Sequence, residues 1–304
     1  LRVLEQAVAD SSCPIDSLRL DTPLARRQLP DPTEPLDAAW RGSVVQMFEH
    51  WADREPDRRA ISEPDQELSY GDLASATAAL ASVLTQHGVV KGDVVAIFGE
   101  RCAALVWAIL AVMRTGASFA ILDPKYPPQR IVDCLEIADP SAFLQLEGAG
   151  AVPLAVETTL AELAPRCRVE LPTRLDAARH LVPQGAERSS AVPVGPSDCA
   201  YISFTSGSTG KPKGIRGAHG SLTHFVPWMV ETFGLRDTDR YSMLSGIGHD
   251  PLHREIFTAL STGATLCVPA RSDVETPGRL AQWFRIQQIS VSHLTPPMAR
   301  LFDQ

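Results

Sequence analysis

Residues 201–215 read Tyr-Ile-Ser-Phe-Thr-Ser-Gly-Ser-Thr-Gly-Lys-Pro-Lys-Gly-Ile, and their types suit one kind of chemistry. The hydroxyls of Thr205, Ser206, Ser208 and Thr209, with exposed loop N–H groups, can hydrogen-bond phosphate oxygens. Gly207 and Gly210 let the backbone approach a ligand closely. Lys211 and Lys213 supply positive charge, with a solvated ammonium as the alternative for either, more so for Lys211. The run therefore suits a polyphosphate. It is not a Walker A loop, because Pro212 stands where Ser or Thr should follow Gly-Lys and the glycines are too close together. The competing reading is a flexible surface loop. Tyr201–Phe204, just before it, reads as a short buried strand.

A second run, Gly248-His249-Asp250-Pro251-Leu252-His253-Arg254-Glu255-Ile256-Phe257, opens like a helix. Asp before Pro is a capping acceptor followed by proline at the first helical position. On these residues alone Asp250 is an N-cap. His249 and His253 stand four apart, a spacing that chelates metals from a continuous helix. Pro251 lies between them and no His-Glu-x-x-His is present, so no metal site is expected.

These runs need a frame, and the chain around them alternates. Helices are expected at Val44–Ala52, over the apolar series Leu73, Ala76, Leu80, Val83 and Leu84, and at Ala103–Met113 and Pro128–Ala138. Gly88 and Gly116 close two of them. Strands fall at Val94–Phe98 and Ser118–Leu122. Beyond the loop come a strand (Tyr241–Leu244), a helix (Pro251–Leu260), a strand (Ala264–Val268), a helix (Leu280–Gln287) and a strand (Ser290–Leu294). This order predicts an α/β fold of two βαβ-type subdomains, with mostly parallel sheets flanked by helices. Residues 43–190 are expected to form the first and 191–304 the second, with a looser junction at 148–198. Residues 1–42 differ: the prolines of Gln28-Leu29-Pro30-Asp31-Pro32 and Pro35 read as a linker, after one amphipathic helix at Leu1–Ala9.

Composition narrows the classes. The chain has 304 residues, 44% hydrophobic and 21% charged, with net charge −8, which is ordinary for a globular protein and contrary to general nucleic-acid binding. No apolar run reaches membrane-span length and no signal peptide opens the sequence. The six scattered cysteines include no Cys-x-x-Cys and read as reduced thiols of a cytoplasmic protein.

The loop run resembles the phosphate-loop signature of the adenylate-forming superfamily: acyl-CoA synthetases, luciferases and adenylation domains of nonribosomal peptide synthetases. Leu68-Ser69-Tyr70-Gly71-Asp72-Leu73 and Arg114-Thr115-Gly116-Ala117-Ser118-Phe119-Ala120-Ile121-Leu122-Asp123-Pro124 are similar to two further elements of that family, both read as packing features. His219 fits the family's His in the helix after the loop, and is read as structural. Amino-acid-activating members carry an Asp at the place of Asp250, ahead of a Glu-x-Phe helix that Glu255 and Phe257 fit. The resemblance implies that Asp250 receives the substrate's ammonium. His-Asp-Pro-Leu-x-Arg-Glu-Ile-Phe and Ser292-His293-Leu294-Thr295-Pro296-Pro297-Met298 resemble the version in α-aminoadipate reductases, which places Pro251, Arg254 and His293 along the side-chain pocket.

A guanidinium in such a pocket needs an anion. A substrate carboxylate is one candidate, and Glu255 or another protein acid is the alternative. The resemblance further implies ATP and Mg²⁺ as cofactors, an aminoacyl-adenylate as product, and a carrier-protein phosphopantetheine and an adjacent condensation domain as partners. The competing functions are acyl-CoA synthetase-type activation and a noncatalytic docking scaffold. The family's adenine-binding run, ribose-binding Asp and catalytic Lys are not found before Gln304. The chain is therefore expected to be the first half of a truncated large domain, with no catalytic residue of its own and poor activity alone.

Overall fold

The computed structural model describes residues 2–19, 22, 24, 27, 39–175, 190–206, 211–276 and 278–300. Two compact units are present, residues 1–39 and 40–304. The first contains α1 (Arg2–Ala9) and a 3-10 turn at Ile15–Ser17. Gln6 donates to the Arg19 carbonyl at 2.8 Å, and no residue of either element is buried. The expected linker at 28–35 lies outside the described residues.

The second unit begins with α2 (Val44–Arg54), started by a capping box in which the Ser43 hydroxyl accepts from the Gln46 N–H. The hairpin β1 (Arg59–Glu63) and β2 (Gln66–Ser69) leads into α3 (Tyr70–Gln86). A second capping box, Ser69 with Asp72, starts α3, which accounts for the Leu-Ser-Tyr-Gly-Asp-Leu element. Then follow β3 (Val94–Phe98), α4 (Ala103–Arg114), β4 (Ser118–Leu122), α5 (Pro128–Ala138), β5 (Ala142–Leu146), α6 (Leu154–Leu163) and β6 (Cys167–Leu171). Every residue of α4 is buried, as expected for a helix that is apolar all round.

After residue 190 come β7 (Cys199–Ser206), β8 (Pro212–Ala218), α7 (His219–Phe233), β9 (Arg240–Ser242), α8 (Pro251–Ser261) and β10 (Thr265–Cys267). The helices α9 (Arg271–Glu275), α10 (Arg279–Ile286) and α11 (Pro296–Ala299) complete the described elements. A six-stranded sheet runs β6-β5-β3-β4-β7-β8 and a four-stranded one runs β2-β1-β10-β9. Pairing is parallel except at the hairpins β1–β2 and β7–β8. The mixed α/β class with parallel sheets flanked by helices is thus as expected. Each sheet takes strands from both sides of residue 190: β1 pairs with β10 and β4 with β7.

Three local expectations change. The looser stretch 148–198 holds α6 and β6, and β6 alternates in burial as an edge strand does. The strand around Tyr201–Phe204 is longer, Cys199–Ser206, and those four residues are only half-buried. Only β8 lies beyond it in the sheet, and Tyr201 faces a cleft. At Ser290–Leu294 a single bridge forms, Val291 to Tyr241. There the Ser290 hydroxyl accepts from the Arg240 N–H at 2.9 Å and donates to Asp239 at 2.7 Å. Side-chain bonds of this kind compete with a ladder. Among the described residues no helix is long and apolar enough to cross a membrane, and all six cysteines are free.

Candidate functional site

The polyphosphate-type run includes the ends of two paired strands. β7 and β8 pair antiparallel, with Thr205 opposite Lys213 and Ser206 opposite Pro212. Thr205, Lys211 and Lys213 are exposed and Pro212 is buried. Gly207, Ser208, Thr209 and Gly210 lie outside the described residues. β7 also leans on the second run, because Ile202, Ser203 and Phe204 share a small cavity with Ile247, Gly248, His249 and His253. The two informative stretches of sequence therefore meet in space.

Asp250 does not cap its helix. Its φ of −57° and ψ of −29° are already helical and its side chain makes no capping bond, whereas a cap residue needs extended backbone. The local reason is a turn that begins earlier: His249 N–H bonds to Gly246 O at 3.0 Å and His253 N–H to Asp250 O at 2.9 Å. The carboxylate is left facing a cleft of ≈ 350 Å³ between α7 and α8. Arg254, one turn further along α8, lines the same cleft, with Tyr201, Ser221, Phe225 and His253. Residues four apart share a helix face.

The cleft's two charges are unspent. Arg254 sits 6.0 Å from the Phe225 ring centroid and forms no ion pair among the described residues. The alternative partner, Glu255, points the other way and is fully buried. It accepts from the Leu244 N–H at 2.9 Å and from the Ser245 hydroxyl at 2.8 Å. Burial pushes the Glu255 carboxyl up to about 7, opposed by the Ser245 bonds and by Arg101. Arg101 in turn donates to the carbonyls of Leu244 and Ser245 at 2.8 and 3.0 Å. Glu255 is thus an anchor for the turn that delivers Asp250.

Pro251 occupies the first position of α8 and does not line the cleft. His293 does not line it either, but lies near Arg254: burial, and then the Arg254 charge, lower its pKa. His253 and Tyr201, which sequence reasoning passed over, form the cleft wall. Their rings are 4.3 Å apart, centroid to centroid. Burial holds His253 down to about 4, although the Asp250 charge acts against the shift. Burial and then the Asp250 charge raise the Tyr201 pKa, with Ser221 acting against the shift. The available signal for His253 was its place three residues after Asp250, on the same face of α8.

His219 is buried at the start of α7, as a structural reading requires. No group of three or more His, Cys, Asp or Glu able to hold a metal occurs among the described residues. A second cleft of ≈ 240 Å³, at the carboxyl ends of β3 and β4, is lined by Glu100, Arg101, Asp123, Lys125 and Arg271. Its Arg271 is paired with Glu275.

A hydroxyl- and lysine-bearing hairpin beside a cleft whose Asp250 and Arg254 form no ion pair among the described residues fits a family pattern, and comparison bears on it directly. The model of the AMP-binding enzyme family matches residues 48–302. The chain belongs to the AMP-binding enzyme family. It is 37% identical over 326 aligned positions to L-2-aminoadipate reductase of Schizosaccharomyces pombe, covering 99% of this chain and 23% of that protein. Tyrocidine synthase 3 of Brevibacillus parabrevis is 29% identical and aligns with the whole chain, which covers 4% of it.

Among solved structures, the nonribosomal peptide synthetase FmoA3 in its AMPPNP-bound form superposes with a TM-score of 0.73. It is 25% identical, over 90% of this chain and 27% of that one. The N-terminal subdomain of Klebsiella oxytoca NpsA, in complex with 3-hydroxybenzoyl-AMSN, gives 0.69 at 29% identity, over 86% of this chain and 62% of that one. This AMP-binding chain thus spans about a quarter of the aminoadipate reductases it matches, and its fold is that of the N-terminal subdomain of adenylate-forming domains.

Proposed function

We propose that this AMP-binding chain contributes the phosphate loop and amino-acid cleft of a domain that activates a dicarboxylic amino acid, 2-aminoadipate, as its adenylate. The observation that carries the reading is a carboxylate, Asp250, and a guanidinium, Arg254, in one cleft, neither in an ion pair among the described residues. Asp250 receives the α-ammonium. Arg254, with His293 and Pro251 nearby, receives the side-chain carboxylate, a two-pronged partner that suits a guanidinium. The similarity to aminoadipate reductases supports this choice.

The α-carboxylate then attacks the α-phosphorus of ATP. A carboxyl–phosphorus bond forms, the bond to the bridging oxygen breaks, and pyrophosphate leaves with its electron pair. Positioning and charge stabilisation dominate such a step. Thr205, Ser206, Ser208 and Thr209 hold the β- and γ-phosphates with the N–H groups of Gly207 and Gly210, and Lys211 and Lys213 offset their charge. Mg²⁺ would neutralise phosphate charge as part of the bound nucleotide, the usual way this ion is held, so no protein carboxylate cage is assigned to it. A carrier-protein phosphopantetheine thiol, losing its proton, attacks the acyl carbon afterwards; a thioester forms, the acyl–phosphate bond breaks and AMP leaves, and a condensation domain is a neighbour in the peptide-synthetase variant of this arrangement.

Amino-acid-dependent ATP–pyrophosphate exchange by the full-length protein tests the reading, on a panel of the common amino acids, 2-aminoadipate and several fatty acids. Exchange is expected with 2-aminoadipate. Exchange with fatty acids alone would move the protein to the acyl-CoA synthetases and leave Asp250 without a role. Residues 1–304 by themselves are expected to form little adenylate.

A further inference from the structure

We propose that an imidazole nitrogen of His253 is a second acceptor for the substrate's ammonium group, beside Asp250, in a box closed by the ring of Tyr201. The inference rests on the amino-acid reading of the cleft and goes beyond it, since that reading assigns the ammonium to Asp250 alone.

His253 is 6% exposed, and its Nδ1 is buried without a hydrogen-bond partner among the described residues. An unpaired buried nitrogen is costly, and this one belongs to a side chain that also lines a cleft. The ring is wedged by aromatic neighbours, with centroids 4.3 Å from Tyr201, 5.3 Å from Phe119 and 5.9 Å from Phe257. It nevertheless lines the cleft together with Asp250. The two side chains stand three apart on α8, so they share a face.

Burial keeps the imidazole neutral at physiological pH, which leaves one ring nitrogen with a lone pair to offer. An ammonium group has three N–H donors. Asp250 can take one or two, the imidazole another, and the face of Tyr201 adds a cation–π contact.

The seat of Tyr201 is itself specified. A Cβ at Gly217, on β8, would fall on the Tyr201 ring, so only glycine lets the ring lie there. Gly217 thus lets Tyr201 lie against His253 at the cleft.

The test is a comparison of an amine with its desamino analogue in full-length protein. We measure KM for 2-aminoadipate in pyrophosphate exchange, and Ki for adipate as a competitive inhibitor, in wild type, His253→Phe, His253→Asn and Gly217→Ala. A lost hydrogen bond to a charged group corresponds to about a tenfold rise or more in KM for 2-aminoadipate. The expected result is that rise in His253→Phe, no change in the Ki for adipate, and recovery in His253→Asn, whose amide oxygen can accept.

Equal changes in both constants, or none, would make His253 a packing residue and overturn the proposal. Gly217→Ala, which displaces Tyr201 from below, carries the same expectation if His253→Phe does not fold. Asp250→Asn separates the two failures. If it keeps its KM for 2-aminoadipate, the amino-acid reading itself is lost. If it loses binding while His253→Phe does not, only the second acceptor is wrong.

Discussion

Asp250 and Arg254 stand one helical turn apart on α8, and neither has a protein counter-ion among the described residues. Asp250 is exposed and Arg254 half-buried, so water meets both charges until a ligand completes the pair. A substrate with an ammonium at one end and a carboxylate at the other does so. Arg254→Ala is expected to lower kcat/KM for 2-aminoadipate about ten- to hundredfold, the range for a charged hydrogen-bonded contact, and to leave small neutral amino acids nearly unaffected. Arg254→Lys should recover only part of the loss, because an ammonium cannot make the two-pronged contact. Exchange assays on the same panel check both. Lys213, exposed and opposite Thr205 at the hairpin mouth, belongs to the nucleotide half. Lys213→Ala should raise KM for ATP several-fold with KM for the amino acid unchanged, and equal effects on both would remove it from the phosphate loop.

At the scale of elements, what aims α8 is the buried Glu255 and the turn it holds. Its bonds to the Leu244 and Ser245 N–H groups fix the loop that enters α8. Glu255→Gln substitutes a donor for one acceptor oxygen in a buried site, so a loss of about 1–3 kcal/mol is expected in urea denaturation, together with weaker substrate binding.

α7 carries a pH-dependent element in His219, which is fully buried and held at about 4 against an ordinary 6.5. Burial is the main cause and Asp198 opposes it. A depressed histidine pKa means that its contribution is complete above pH 6.5 and is lost as pH falls toward 4. The loss is up to about 3 kcal/mol at the acid end. Glu255, raised by burial, has the opposite sign and loses its contribution as pH rises from 4.5 towards 7. The two overlap, so wild type alone is ambiguous. His219→Leu should be less sensitive to acid than wild type between pH 7 and 4.5 in the same denaturation experiment, and an identical pH slope would show that His219 titrates normally.

Across the whole of residues 40–304, the early and late parts of the chain are stitched together. β1 pairs with β10. The Tyr70 hydroxyl donates to the Ala264 carbonyl at 2.8 Å, and Arg58 donates to the carbonyls of Gly263 and Asp237 at 2.6 and 2.7 Å. These links cross about two hundred residues, so residues 40–304 are expected to unfold in one cooperative transition. Residues 191–304 expressed alone would lack β1 beside β10 and β4 beside β7, and should show no dispersed amide spectrum. A folded spectrum from that piece would restore the division at 190–191 as a boundary between independent units.

Local sequence determined a good deal of this protein. Helices such as α3, α4 and α5 were readable from apolar spacing, with Gly88, Gly116 and Pro128 marking their ends, because those signals act within a few residues. The phosphate-loop run and the Asp250–Phe257 run were readable because their chemistry is contiguous. Strands β1, β5, β6 and β8 were not, being short segments whose stability comes from partners far along the chain. Whether Asp250 caps a helix or faces a cleft was likewise undecidable from Asp-Pro alone. The answer lies in the turn that Glu255 and Arg101 hold in place. The same holds for Tyr201 and His253: one lies on a strand and the other on a helix, and Gly217, from a third element, makes room for their stack. A site assembled from three elements is a property of packing, and only the tertiary structure decides it.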